Sequence, residues 1–168
     1  PNNVIFFAGA PEHAKTKVMM FTIHHLLKKY NDRIKVCWYS MEDDQETIIM
    51  NRIALDCGIS IKTQSGDPSV PKLTMDDLYV ITESANALKD DNIELIVDQC
   101  KISTISGHFR HFCKSNPDKI NILVIDNFFM VSGQEEGFKT NTEKESKVAD
   151  FIQRINASLT AQGYKCLI

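Results

Sequence analysis

The 168-residue sequence predicts a single α/β domain, a mainly parallel sheet flanked by helices. Short apolar runs alternate with segments of helical period along the whole chain, in a βαβα series. One of those runs, NILVID at 121–126, is continuous and β-branched, as a strand buried on both faces must be. Except for Gly107, glycines and prolines fall between the periodic segments rather than within them.

In chain order, residues 4–8 (VIFFA) form a candidate buried strand closed by Gly9. Residues 16–30 follow, with Val18, Met19, Phe21, Ile23, Leu26 and Leu27 at helical spacing. The aromatic and β-branched stretch 33–40 (RIKVCWYS) is the next strand, and 43–57 a helix stopped by Gly58. Residues 60–72 contain Gly66, Pro68 and Pro71 and read as a surface loop. Thr74, Asp76 and Asp77 suit the first turn of a helix reaching about Leu88. Residues 93–97 form a third short strand, and Ser103 or Thr104 opens a helix that ends before Asn116-Pro117. After strand 121–126 the polar stretch 132–142 (SGQEEGFKTNT) is expected to be a mobile loop. A helix over 143–162 buries Val148, Phe151, Ile152, Ile155 and Leu159, Gly163 closes it, and 164–168 begins another strand. The whole of 1–168 is one domain. Its start reads as that of a cut fragment, and at least one further strand is expected to follow Ile168.

Composition narrows the function classes. Nineteen basic against 22 acidic residues, net −3, exclude a chain whose entire surface grips nucleic acid, so any such contact is local. The apolar runs are broken by Asn and Asp, so no membrane span and no membrane partner are expected, and nothing at the start reads as a signal peptide. Five cysteines without a CxxC pair fit neither a disulfide framework nor a zinc module and point to a reducing compartment, the cytoplasm.

The chemistry concentrates at strand ends. Gly9-Ala10-Pro11-Glu12-His13-Ala14-Lys15-Thr16 lies between a strand and a helix and matches the phosphate-binding pattern GxxxxGK[ST], except that Ala14 stands where the second Gly belongs. Such a loop turns backbone N–H groups inward around phosphate oxygens and adds the positive end of a helix dipole. Its Lys reaches the terminal phosphates and its hydroxyl serves a magnesium ion, the roles of Lys15 and Thr16. The plain alternative is a strand-to-helix turn. A residue other than Gly at positive φ costs about 1 kcal/mol or more, so Ala14 implies either a loop that avoids that region or a strained one. The same replacement occurs in loops of the minichromosome-maintenance helicase family, to which this stretch is similar in that respect. Asp126, ending the apolar strand, suits an acid linked to magnesium through water or through Thr16, beside the loop on a neighbouring parallel strand. Glu42, in YSMED, either activates water or, with Asp43 and Asp44, serves a helix N-terminus.

The order of phosphate loop, strand ending in SMED, helix bearing Gln45 and Arg52, and then VIDN with a polar loop resembles the RecA-like motor domain of DnaB-family replicative helicases, phage versions and primase-helicases included. The segment YSMEDDQETIIMNRIA carries the most specific likeness. The resemblance runs from Asn3 to the final strand and implies a RecA-like P-loop fold, truncated at its C-terminus, that uses ATP and Mg2+. It implies that Lys15 and Thr16 bind phosphate and magnesium, that Glu42 is the general base and that Asp126 is the metal-linked acid. It further implies a homo-oligomer, a hexameric ring on single-stranded DNA, with a primase or helicase loader as a partner, in a bacterial or phage-infected cytoplasm. Loop 132–142, whose one basic residue is Lys139, takes the place of the family's DNA-contacting loop; a solvated connection is the alternative. The family's polar sensor and arginine finger would lie beyond Ile168, which makes the isolated fragment a poor ATPase. Two rival readings are a RecA-like ATPase of recombination or helicase loading and a degenerate, non-hydrolysing nucleotide-binding module, the latter because Glu12 would repel phosphates.

Lesser constellations read as packing. His108, His111 and Cys113 on one helix lack a fourth ligand, His24-His25 read as a solvated or partly packed face, and Cys57 and Cys113 lack a nucleophile's partners. Phe128, Phe129 and Met130 suit a core or subunit contact.

Overall fold

The computed structural model describes residues 3–6, 14–59, 72–98, 100–127, 131 and 141–168, with the backbone alone over 141–145. Outside these lie residues 7–13 of the first predicted strand and phosphate loop, the loop 60–71, Phe128 to Met130 and, in loop 132–142, everything up to residue 140, Lys139 included.

The described chain runs α1 (Lys15–Tyr30), β1 (Ile34–Ser40), α2 (Gln45–Cys57), α3 (Met75–Ala87) with a 3-10 turn at Leu88–Asp90, β2 (Ile93–Val97), α4 (Ile102–Ser115), β3 (Ile120–Asp126), α5 (Asn141–Ala161) and β4 (Lys165–Leu167). The strands form one sheet in the order β2-β1-β3-β4, and every pairing is parallel. β1 lies at the centre, with Ser40 level with Asp126 across the ladder to β3.

Local chemistry starts and stops the helices where composition predicts. Asp44 caps α2 by accepting from the Thr47 N–H at 2.7 Å, so α2 begins two residues later than the pattern implied. Thr74 and Asp77 form a reciprocal capping box on α3. Gly58 ends α2 at φ 72°, with its N–H on the Ala54 carbonyl at 2.9 Å, a left-handed conformation that a side chain would strain.

The pleat of β1 and β3 divides the core in two. Val36, Trp38, Ile122 and Val124 face α1 and α2, where they meet Met20, Ile23, Leu27 and Ile48. Cys37, Tyr39 and Leu123 face the opposite way, onto Phe109 and Phe112 of α4 and Ile152, Ile155 and Leu159 of α5. Burial on both faces is why NILVID is apolar without alternation.

The N-terminal run corrects the expectation in two ways. Of residues 3–6, Asn3 makes a single parallel bridge to Leu167, extended by bonds from Ile5 N–H to Ile168 O (2.8 Å) and Ile168 N–H to Asn3 O (3.2 Å). Ile5 and Phe6 remain half exposed rather than buried. Nor does this segment neighbour the strand of Asp126: β4 pairs with β3 on one edge and with Asn3 on the other, so it stands between them. An apolar run reports that a segment is a strand but not which strand lies beside it. Among the described residues no helix is long and apolar enough to cross a membrane.

Candidate active site at the carboxyl ends of the strands

Three chain segments meet where β1 and β3 end. The first is the start of α1. Ala14 is its N-cap, at φ 56° and ψ 23°, and its carbonyl accepts the first intrahelical bond from Val18 at 2.9 Å. Of the two possibilities open for Ala14, the left-handed conformation is the one adopted, at the position where the phosphate pattern carries Gly. Lys15 and Thr16 follow in the first turn, both half buried. Gly9, Ala10, Pro11, Glu12 and His13 lie outside the described residues.

The second segment is the end of β3, where the Thr16 side chain acts on the Asp126 carboxyl. Burial is the main cause that raises the Asp126 carboxyl above its ordinary value; Thr16 opposes it, Glu42 and Asp43 push further upward, and Lys15 pulls back. Lys15 and Thr16 from α1 and Glu42 from the turn after β1 thus all act on one carboxyl group of β3.

The third segment is the turn that leaves β1. The Met41 N–H donates to the Asp126 carbonyl at 2.5 Å, and the Ser40 hydroxyl donates to the Asp43 carbonyl at 2.7 Å, which ties the turn to β3 and to itself. Asp44, not Glu42, caps α2, and the Thr47 backbone bond holds the Asp44 carboxyl below its ordinary value. That division of labour leaves Glu42 exposed, two residues ahead of the cap. Its Oε2 accepts from Asn127 Nδ2 at 3.4 Å.

A cavity of about 170 Å³ opens from this point down the α1 face of β3. Lys15, Asp126 and Asn127 form its polar rim, and Met19, Ile23 and Val124 are among its apolar walls. It is smaller than the several hundred Å³ of an ordinary ligand pocket, so the chemistry belongs to the rim. Magnesium takes hard oxygen donors, keeps part of its water shell and needs only one or two protein ligands, a set that the Thr16 hydroxyl and Asp126 carboxylate fit. Among the described residues no group of three or more His, Cys, Asp or Glu is arranged to hold a metal.

The remaining sequence candidates sit elsewhere. Gln45 is the first residue of α2, and Arg52 is buried in an ion pair with Asp91, far along the helix from Glu42. His108 accepts or donates at Nδ1 to the Tyr39 hydroxyl (2.7 Å) and places Nε2 3.1 Å from Glu94, a packed polar bridge between α4 and the sheet. His24 is buried beside Asp56, whereas His25 is exposed and lies against the Phe21 ring, so the two are not one face. Sequence reading missed Asn127; its only signal was a polar residue directly after the strand.

The profile of the DnaB-like helicase C terminal domain family matches residues 1–161. No curated protein matches the chain. Among solved structures, one described as an ATPase domain superposes with a TM-score of 0.83 at 17% identity, covering 99% of this chain and 56% of that one. A DnaB-like replicative helicase, from a structure concerned with its interactions with primase, superposes with a TM-score of 0.77 at 16% identity, covering 94% of this chain and 36% of that one. At such identities the likeness shows the fold, a RecA-like α/β sheet, and the chain matches only part of the length of either protein. Since the family profile covers nearly all of the sequence, this chain belongs to the DnaB-like helicase C-terminal domain family.

Proposed function

We propose that the chain is the ATP-hydrolysing motor domain of a replicative DNA helicase, working with magnesium as one unit of a hexameric ring on single-stranded DNA. The observation that carries the reading is the meeting of the start of α1, with Lys15 and Thr16, and the end of β3 at Asp126, which brings the end of the phosphate-loop pattern to the acid of the central strand. In this reading the loop amides of residues 10–16 and the Lys15 ammonium hold the terminal phosphates, favoured by the N-terminal dipole of α1. Magnesium, when bound, neutralises charge on the phosphate oxygens, held by Thr16 and Asp126. Glu42 orients a water molecule and takes its proton as the water oxygen attacks the terminal phosphorus and the bond to the bridging oxygen breaks. The left-handed Ala14 supports a working loop over a degenerate one, because the backbone keeps the conformation that glycine would supply. In the ring, loop 132–142 with Lys139 faces DNA, and a primase or a loader is the partner of the full-length protein.

The test is calorimetric titration of Mg-ATP into the wild type and Lys15→Ala. Binding by the wild type and a loss of about 10- to 100-fold in the variant is expected, the range for one hydrogen bond to a charged group. Equal affinities, or no binding by the wild type, would sink the assignment. Turnover stimulated by single-stranded DNA in the full-length protein then separates a helicase motor from a loader.

A further inference from the structure

The backbone around Glu42 is pinned, but a glutamate side chain has three rotatable bonds and its carboxylate is exposed. The Met41 and Ser40 bonds fix the turn without reaching that carboxylate. The group that does reach it is the Asn127 side chain, one residue past β3, through Nδ2 on Glu42 Oε2. We propose that Asn127 is a positioning residue: its amide holds one oxygen of Glu42 and leaves the other directed to water. The inference rests on the role assigned above to Glu42.

The residue type fits the surroundings. Glu42, Asp43 and Asp126 already place three acidic groups at this end of the sheet, and Lys15 is the base that acts with them on Asp126. A carboxylate at 127 would repel Glu42, a Lys would compete with Lys15 for the acids, and an aliphatic side chain would offer no donor. An amide supplies a donor at no change in charge. The placement also couples Glu42 to Asp126, because Asn127 is the next residue and the Asp126 carbonyl holds the turn that carries Glu42. One strand end therefore sets both the acid that Thr16 acts on and the orientation of the carboxylate that faces water.

The experiment uses the full-length protein with Asn127→Leu, Asn127→Gln, Glu42→Ala and the Asn127→Leu/Glu42→Ala double variant. Asn127→Leu is expected to lower kcat about 10- to 100-fold, the cost of a misoriented catalytic group, with KM for Mg-ATP unchanged within about twofold. Asn127→Gln, which keeps the donor, recovers part of the loss. In the Glu42→Ala background Asn127→Leu has no further effect on residual turnover, whereas a merely structural role would lower it in both backgrounds. Independently of turnover, the side-chain amide resonance of Asn127, assigned by its disappearance in Asn127→Leu, moves in Glu42→Ala. Wild-type turnover with an unmoved resonance, or an equal penalty in both backgrounds, overturns this inference alone. Absence of turnover in the full-length wild type overturns the reading of the site and this inference with it.

Discussion

Replacing Ala14 with Gly should stabilise the protein. Ala14 sits at φ 56°, where a residue with a Cβ carries a strain of about 1–2 kcal/mol that Gly does not. Its methyl group is exposed, so nothing packed is lost when it is removed. The residue makes no side-chain cap bond, and at an N-cap Gly is itself preferred over Ala. Against this stands the greater freedom of Gly in the unfolded chain, about 0.4–1 kcal/mol. The balance is a gain of about 0.5–1 kcal/mol, or about 1–4 °C in Tm for a domain of this size. Thermal and urea unfolding followed by circular dichroism read it directly. Ala14→Val is the control: a β-branched side chain in the left-handed region should lower Tm by more than the Gly variant raises it. If Ala14→Gly were no more stable than the wild type while Ala14→Val cost nothing, the strain argument would be wrong.

Two further predictions concern ionisable groups. Asp126 has its carboxyl raised chiefly by burial, so the folded state holds that proton more tightly than the unfolded chain does, and stability falls as pH rises through the window above the ordinary value of 3.8. Asp126→Asn should therefore melt higher than the wild type at neutral pH, with the advantage shrinking as pH is lowered toward 3.8; a difference independent of pH would refute it. Cys57 and Cys100 are half buried whereas Cys37, Cys113 and Cys166 are buried, and burial pushes the Cys37 thiol up to about 12. A chromogenic aromatic disulfide should titrate the first two in the native protein and the other three only on unfolding; rapid native reaction of all five would contradict the packing.

How much was legible in advance depended on the range of the interaction involved. Thr74 before two acids, Gly58 after an apolar stripe and the unbroken NILVID each act within a turn or a strand, and each was found where its local chemistry placed it. Asp44 and Glu42 could not be told apart, because either carboxylate near a helix start satisfies the same local rule; the Asp44 bond to the Thr47 N–H shows which one caps. Arg52 belonged to the most specific motif, yet its partner Asp91 lies 39 residues on, and only folding showed that the pair is buried structure.

From the sequence alone came the parallel α/β architecture, the helix and strand limits to within a few residues, and the candidate residues Lys15, Thr16, Glu42 and Asp126. Periodicity, capping and turn chemistry are local, and local free energies can be read from neighbours in the chain. The insertion of β4 between the N-terminal segment and β3, the left-handed state of Ala14, the approach of Thr16 to Asp126 and the reach of Asn127 to Glu42 came only from tertiary structure. Each depends on which strand packs beside which. That choice is made by the shape and burial of two whole cores, distributed over residues that no single segment contains.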